Sequence, residues 1–463
     1  MWGSAESLLP FLVTVIHAVR VVDVNNFVVH PKVRPAIAVS HSTQFNEVFA
    51  WKQIDFAYPS YQSRQDALRS GLFDPLAVVP IGVAAAGPRL FLSMPRWKSG
   101  IPAALATIPL FTNTTSPRLQ PYPNWSWHRP GNCDGITSVF RVKVDECGRL
   151  WVLDTGAVNT FVKFEQICPP QVHVFDLHTD RLIHRYRFPE EAYKQESLFT
   201  SIEVEYPDSH CGGSLGPSGA IIYVTDTTMF ALVVADLRLQ GSSSAWRVQD
   251  KTMYPTPEAG SFVVAGESFE LMDGVLSIAL SPRNNKLERL LFYHAMSSFR
   301  QRWVPTRILH NSTAVEDNPQ FFKSSVYKRS GQASAGSMDQ HGVLFFGLVT
   351  SDTLACWNTF KPFVPENVVS LAQDPRALQF VTTTTVDQDS RVWALSTRFQ
   401  KYILETLDPN EVNFRVVLAP SSEGLVRGTN CEHTPPLGPS SHHVQHVHHH
   451  LYDRLENQLN FLP

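Results

Sequence analysis

Charge is sparse in this chain. Of 463 residues, 39 are Lys or Arg and 42 are Asp or Glu, a formal net charge of -3. So small a balance leaves no electrostatic footprint for nucleic acid or an anionic membrane, and both are excluded as partners. The six cysteines, Cys133, Cys147, Cys168, Cys211, Cys356 and Cys431, contain no Cys-x-x-Cys pair. Zinc sites usually need that close spacing, so no metal is assigned and a disulfide set is expected, its connectivity open. No apolar run has the length of a membrane span. Leu8 to Val19 has the length of a signal-peptide core, yet no basic residue precedes it and Glu6 stands in front. Residues 1–22 therefore read as an atypical signal-like segment. Sequons at Asn113, Asn124 and Asn311 point to the same route. A secreted, extracellular protein with N-glycans is expected.

What the chain does have is proline (33), phenylalanine (29) and 43% hydrophobic residues, the makings of many short strands joined by stiff turns. One pattern recurs six times: an apolar, aromatic run that stops abruptly at a polar or small residue. The copies are Arg89–Ser93, Arg149–Gly156, Ile221–Thr227, Arg289–His294, Gly342–Gly347 and Arg391–Ser396. Anchored on Phe91, Trp151, Tyr223, Phe292, Phe345 and Trp393, the steps are 60, 72, 69, 53 and 48 residues. Each step holds four strands with a variable loop. The expected fold is all-β, a six-bladed β-propeller in a single domain over residues 45–431.

The second copy shows why. Ser138–Val144 alternates apolar and polar residues, the period of a half-buried strand. Asp145-Glu146-Cys147-Gly148 is turn chemistry, with Gly148 free to take positive φ. Arg149–Leu153 returns almost wholly apolar, as a strand covered on both faces should. Gln171–Asp176 and Arg181–Arg187 complete an antiparallel meander that grows more polar outwards. Val48–Trp51 is the strand expected to close the ring from the N-terminus. Helix is scarce, with one short segment expected over Ser63–Ser70 and another over Tyr452–Phe461. Residues 432–463 read as a disordered His- and Pro-rich tail. His442, His446 and His450 could share a helix face there and ligate a metal, but no metal is assigned.

Several longer matches carry a resemblance. They are Trp51–Phe56, Pro95–Pro102, Pro121–Trp125, Arg149–Gly156, Cys168-Pro169-Pro170, Cys356-Trp357-Asn358 and Glu411–Arg415. In these segments, and in their order, the chain resembles the yellow / major royal jelly protein family of insects. The resemblance implies a secreted six-bladed propeller. It implies function less directly. Some relatives convert dopachrome in melanin and cuticle pigmentation, salivary relatives bind biogenic amines, and others are food or eggshell proteins.

Chemistry is expected at the axial mouth, where strand ends and loops converge. The ends of the second strands put Asp154, Thr155, Asp226 and Thr227 there, with Asp273 before a later strand as a third carboxylate. Such a set suits an aromatic amine, a carboxylate taking the ammonium and apolar walls the ring. Asp154 and Asp226 also read, and more readily, as turn caps that accept backbone N–H groups. Amine-binding relatives have Asn, a basic residue and Phe after the last apolar strand, where this chain has Thr397-Arg398-Phe399. Phe399 keeps the stacking ring, and Thr397 departs from the pattern. Thr382 is expected to face the same mouth. Ring deprotonation would need a base, with Asp154, Asp226 and His294 as candidates. His294 also reads as a packing histidine held by a carbonyl. The leading expectation is a secreted protein that binds a catecholamine- or indole-type ligand at its axis and is linked to pigmentation. A dopachrome-converting enzyme and a structural cuticle or eggshell protein are the alternatives. No motif calls for a cofactor, and the oligomeric state is open.

Overall fold

A computed structural model of the chain describes residues 45–208, 210–283 and 288–433. The signal-like segment, the histidine cluster of the tail and the helix expected at Tyr452–Phe461 lie outside the described residues. The rest is all-β: six four-stranded antiparallel sheets and two small hairpins. Helices are short, such as Tyr61–Arg69, capped by the Ser60 side chain, and Phe399–Ile403.

The six apolar repeats occupy one position throughout. Arg89–Ser93, Arg149–Asp154, Ile221–Asp226, Leu290–Ala295, Val343–Leu348 and Val392–Thr397 are the second strands of sheets 1 to 6. A second strand is paired on both edges and packed on both faces, so each of its side chains meets protein and apolar residues fill it. The outermost strand of sheet 2, Arg181–Arg187, has no fully buried residue.

The turns between first and second strands repeat one device. Asp145 Oδ1 accepts the Cys147 and Arg149 amides at 2.9 and 3.0 Å, while Oδ2 accepts Trp151 Nε1 at 2.8 Å. Asp387 does the same for Asp389, Arg391 and Trp393, and Asp339 caps His341 and Val343. Each carboxylate pins a tight turn. In the first of these turns Gly148 takes the expected positive φ of 72°.

The first strands are Gly82–Ala86, Val139–Val144, Phe199–Glu205, Val275–Leu280, Ser337–Met338 and Val381–Val386. Hydrogen bonds at or beside them link neighbouring sheets in succession. Ser93 Oγ donates to Phe140 O at 2.6 Å between sheets 1 and 2. Arg141 reaches from sheet 2 to Ser201 Oγ of sheet 3 at 3.4 Å, and Ser201 Oγ donates to Leu276 O of sheet 4 at 2.6 Å. The Gly336 amide donates to Ser277 Oγ at 3.1 Å, and the Thr384 amide to Ala335 O at 2.9 Å. Thr383 Oγ1 of sheet 6 returns to Ile81 O, beside sheet 1, at 2.6 Å. The approach at sheet 1 is so close that a Cβ on Gly82 would lie 2.2 Å from Ser93 Oγ and 2.7 Å from Phe140 O.

Sheet 6 takes its outermost strand, Asn46–Trp51, from the start of the described chain, paired with Phe414–Ala419. Trp51 is 1% exposed and donates from Nε1 to Pro117 O at 2.9 Å. The disulfides are Cys133–Cys168, Cys147–Cys211 and Cys356–Cys431. The first joins the loop before sheet 2 to the loop between its second and third strands, the second ties sheet 2 to the loop inside sheet 3, and the third anchors the segment after the last strand to sheet 5.

Candidate functional site

At one end of the first strands opens a cavity. Its wall is aromatic and aliphatic: Trp97, Phe140, Phe161, Phe380 and Phe399, with Ile81, Leu198, Leu271, Leu276 and Met296. Trp97 stacks on Phe161 at 4.9 Å between centroids and meets Phe399 at 5.2 Å, and Phe399 meets Phe380 at 4.9 Å. Among the lining residues Asp273 is the one carboxylate and Arg141 the one cation, joined by the hydroxyls of Thr200, Thr227, Ser334 and Thr382.

Arg141, Thr200, Thr227 and Thr382 have hydrogen-bond partners in the wall. Arg141 Nε donates to Thr383 Oγ1 at 3.0 Å and Nη2 to Thr382 O at 3.1 Å. Burial lowers its guanidinium to about 10, against the pull of Asp273, so it stays charged at neutral pH. Thr227 Oγ1 donates to Val275 O at 2.9 Å and lies 2.6 Å from Thr200 Oγ1. The Asp273 amide donates to Ser297 Oγ at 3.2 Å, which fixes the turn before the first strand of sheet 4.

Of the residues expected at the mouth, Thr227, Asp273, Thr382 and Phe399 line this cavity. Asp154, Thr155, Asp226 and Thr397 do not, and all four are fully buried. Asp154 accepts the amides of Thr137, Ser138 and Gly156 at 2.7, 2.8 and 3.0 Å. Burial pushes its pKa up while those amides hold it down, the net being a rise. Asp226 accepts from Ser197 Oγ, the Leu198 amide and Arg247 Nη1 at 2.5, 3.0 and 2.7 Å. Thr155 Oγ1 accepts the Phe199 amide at 3.4 Å, and the Thr397 amide donates to Phe380 O at 3.2 Å. These groups hold the backbone that carries Phe140, Leu198 and Phe380. His294 also lies off the cavity lining, with Nε2 at 3.2 Å from both the Ala333 and Ser334 carbonyls. Burial and the nearby Arg329 push its pKa well below the ordinary value.

The reason is geometric. A sheet's first strand stands nearest the centre, so the mouth is lined by the ends of first strands and by loops, and second-strand ends are one layer back. Trp97, which reads in sequence as a surface loop able to rim the mouth, is 5% exposed and part of the wall. Arg141 and Phe161 are further lining residues that the sequence reading passed over. For Arg141 a signal existed: Arg141 and Lys143 alternate on one face of Val139–Val144, and for a first strand that face is the centre, not solvent. Among the described residues, the grouping of Cys147, His210 and Cys211 has the closeness of a metal site, but its two sulfurs are joined in a disulfide.

Residues 137–431 match the family model described as Major royal jelly protein. The chain belongs to the major royal jelly protein family. This family member is 34% identical over 401 residues to Dopaminechrome tautomerase of Drosophila melanogaster, covering 84% of each chain. It is 35% identical over 395 residues to Protein yellow of Drosophila subobscura, over 84% of this chain and 67% of that one. To Protein yellow of Drosophila melanogaster the identity is 34% over 394 residues, with shares of 84% and 71%. Among the described residues no helix is long and apolar enough to cross a membrane.

Proposed function

We propose that the six sheets are the blades of one closed propeller, that the protein is secreted, and that its mouth cavity binds a small planar ligand of indole or catechol type in pigment chemistry. The observation that carries this reading is the cavity wall: five aromatic side chains around a space with one carboxylate and one guanidinium. Aromatic faces take a flat ring by stacking, while Asp273 takes an ammonium or polarised N–H. Thr227, Thr382 and Phe399 are assigned to the same ligand, and Asp154, Thr155, Asp226 and Thr397 to holding the wall. The succession of hydrogen bonds from sheet 1 round to sheet 6 supports closure, and three disulfides support an oxidising compartment. Titration calorimetry with dopamine, serotonin and indole tests the binding. Heat of binding to at least one is expected, and none for any of them would refute it.

A second reading is favoured by the same carboxylate and by the relative named Dopaminechrome tautomerase. In it the ligand is an aminochrome that isomerises in the cavity. Asp273 takes a proton from a ring carbon, the electron pair moves through the ring to a quinone oxygen, and that oxygen receives a proton. Atoms and electrons balance without a co-reactant. The visible absorbance of dopaminechrome should then decay faster with protein than without. An Asp273→Asn variant should lose about a hundredfold in rate, and equal decay with both proteins would remove this reading.

A further inference from the structure

The floor of the mouth cavity holds a charge whose hydrogen-bonding capacity is only partly used. Arg141 is 9% exposed and enters the cavity between apolar walls. Its Nε and Nη2 are committed to Thr383 and Thr382 at 3.0 and 3.1 Å. Nη1 makes only long contacts, 3.5 Å to Thr200 O and 3.4 Å to Ser201 Oγ. Ser334, 1% exposed and on the same cavity, has an Oγ with no hydrogen-bond partner among the described residues. A buried donor in an aromatic enclosure gains most from an acceptor brought by the ligand. The carboxylate of the cavity, Asp273, belongs to the turn before the first strand of sheet 4, so a ligand can meet both signs of charge at once.

Resting on the pocket reading above, we propose that Arg141 determines specificity. Its Nη1 donates to an exocyclic ring oxygen, with Ser334 Oγ as the supporting donor, so the cavity selects rings that carry a carbonyl over the same rings without one. The ligand class is thereby narrowed to oxidised, carbonyl-bearing indolic or quinoid rings. A ring bearing only an amine would leave the guanidinium facing apolar carbon, where desolvation of the charge is uncompensated.

Two stable probes separate the possibilities: isatin, an indole-ring dione, and indole itself. Calorimetric titration of the wild-type protein should show isatin bound about tenfold more tightly, the scale of one charge-assisted hydrogen bond. In Arg141→Met the preference should fall to about unity, isatin losing affinity relative to indole. Arg141→Gln, whose amide can keep the Thr383 contact, serves if the methionine variant does not fold, and the same loss is expected. If both probes bind wild type equally, or the preference survives in a folded variant, this inference fails and the pocket reading stands. If neither probe binds wild type, the pocket reading fails and this inference falls with it.

Discussion

Acidification is expected to destabilise this fold steeply, because it buries imidazoles that the unfolded chain protonates. His128 is the clearest case. It is 3% exposed, its Nε2 lies 3.0 Å from Tyr122 O, and its Nδ1 accepts the Ala104 amide at 3.4 Å. A second ring proton would meet that amide hydrogen and the Arg96 guanidinium. Burial first, and Arg96 second, bring its pKa from 6.5 to about 3. Between those values the unfolded chain holds a proton that the folded one does not, so stability rises with pH across the window. It is complete above 6.5 and is lost as pH falls towards 3. At pH 5 the loss relative to pH 7 is about 2 kcal/mol from His128 alone. His173, also brought to about 3, and His294, well below its ordinary value, act in the same direction. His128 and His173 together amount to about 4 kcal/mol at pH 5, a large share of the whole stability of a typical domain, and His294 adds to it. Asp154, raised by burial, opposes them, so the decisive quantity is a difference between proteins. Urea unfolding of wild type and His128→Gln at pH 7, 6 and 5 should show a shallower decline in the variant, by about 1 kcal/mol per pH unit below 6. Parallel declines would refute the reasoning, as would an NMR titration that places His128 above 6.

Other outcomes follow from the same contacts. Trp51→Ala should cost about 3–5 kcal/mol in chemical denaturation, and a cost below about 1 kcal/mol would mean that the strand from the N-terminus is dispensable. Replacing Cys356 and Cys431 by Ser should cost up to about 4 kcal/mol, since that disulfide closes a 75-residue separation; an unchanged unfolding midpoint would overturn this. Phe399→Leu keeps most of the volume and removes the aromatic face. Binding of a ring probe should weaken about fivefold while stability falls by about 1 kcal/mol, and unchanged affinity in calorimetry would take Phe399 out of the site. Expressed through a secretory route, the exposed Asn113, Asn124 and Asn311 should carry glycans, and peptide mass spectrometry that finds all three bare would count against that route.

The six second strands could be read from sequence because burial on both faces leaves an uninterrupted apolar run, a signal that survives without any knowledge of neighbours. The closing strand was legible for a related reason: Val48–Trp51 is apolar in a stretch with no partner nearby in sequence. The cavity was only partly legible. Asp273, Thr382 and Phe399 stand beside or within elements that reach the centre, and the cavity lining includes them. Asp154 and Asp226 end the most conspicuous strands of the chain, yet a conspicuous strand is one covered on all sides, and its terminal carboxylate is spent on neighbouring groups: three amides for Asp154, and an amide, a hydroxyl and Arg247 for Asp226. Trp97 and Phe161 come from loops outside the repeat, so no periodicity marks them. Disulfide pairing depends on distances between loops of different length, which spacing along the chain does not encode.

Sheet 6 is assembled from both extremes of the described chain, and this orders events during synthesis. Asn46–Trp51 leaves the ribosome long before its partner, and must wait, edge exposed, until Phe414–Ala419 has emerged. The five earlier sheets can form as they are made, whereas the sixth is complete only after the last of its strands has emerged. A truncated or stalled product therefore carries an unpaired apolar strand, Asn46–Trp51, whose open edge is a template for wrong pairing.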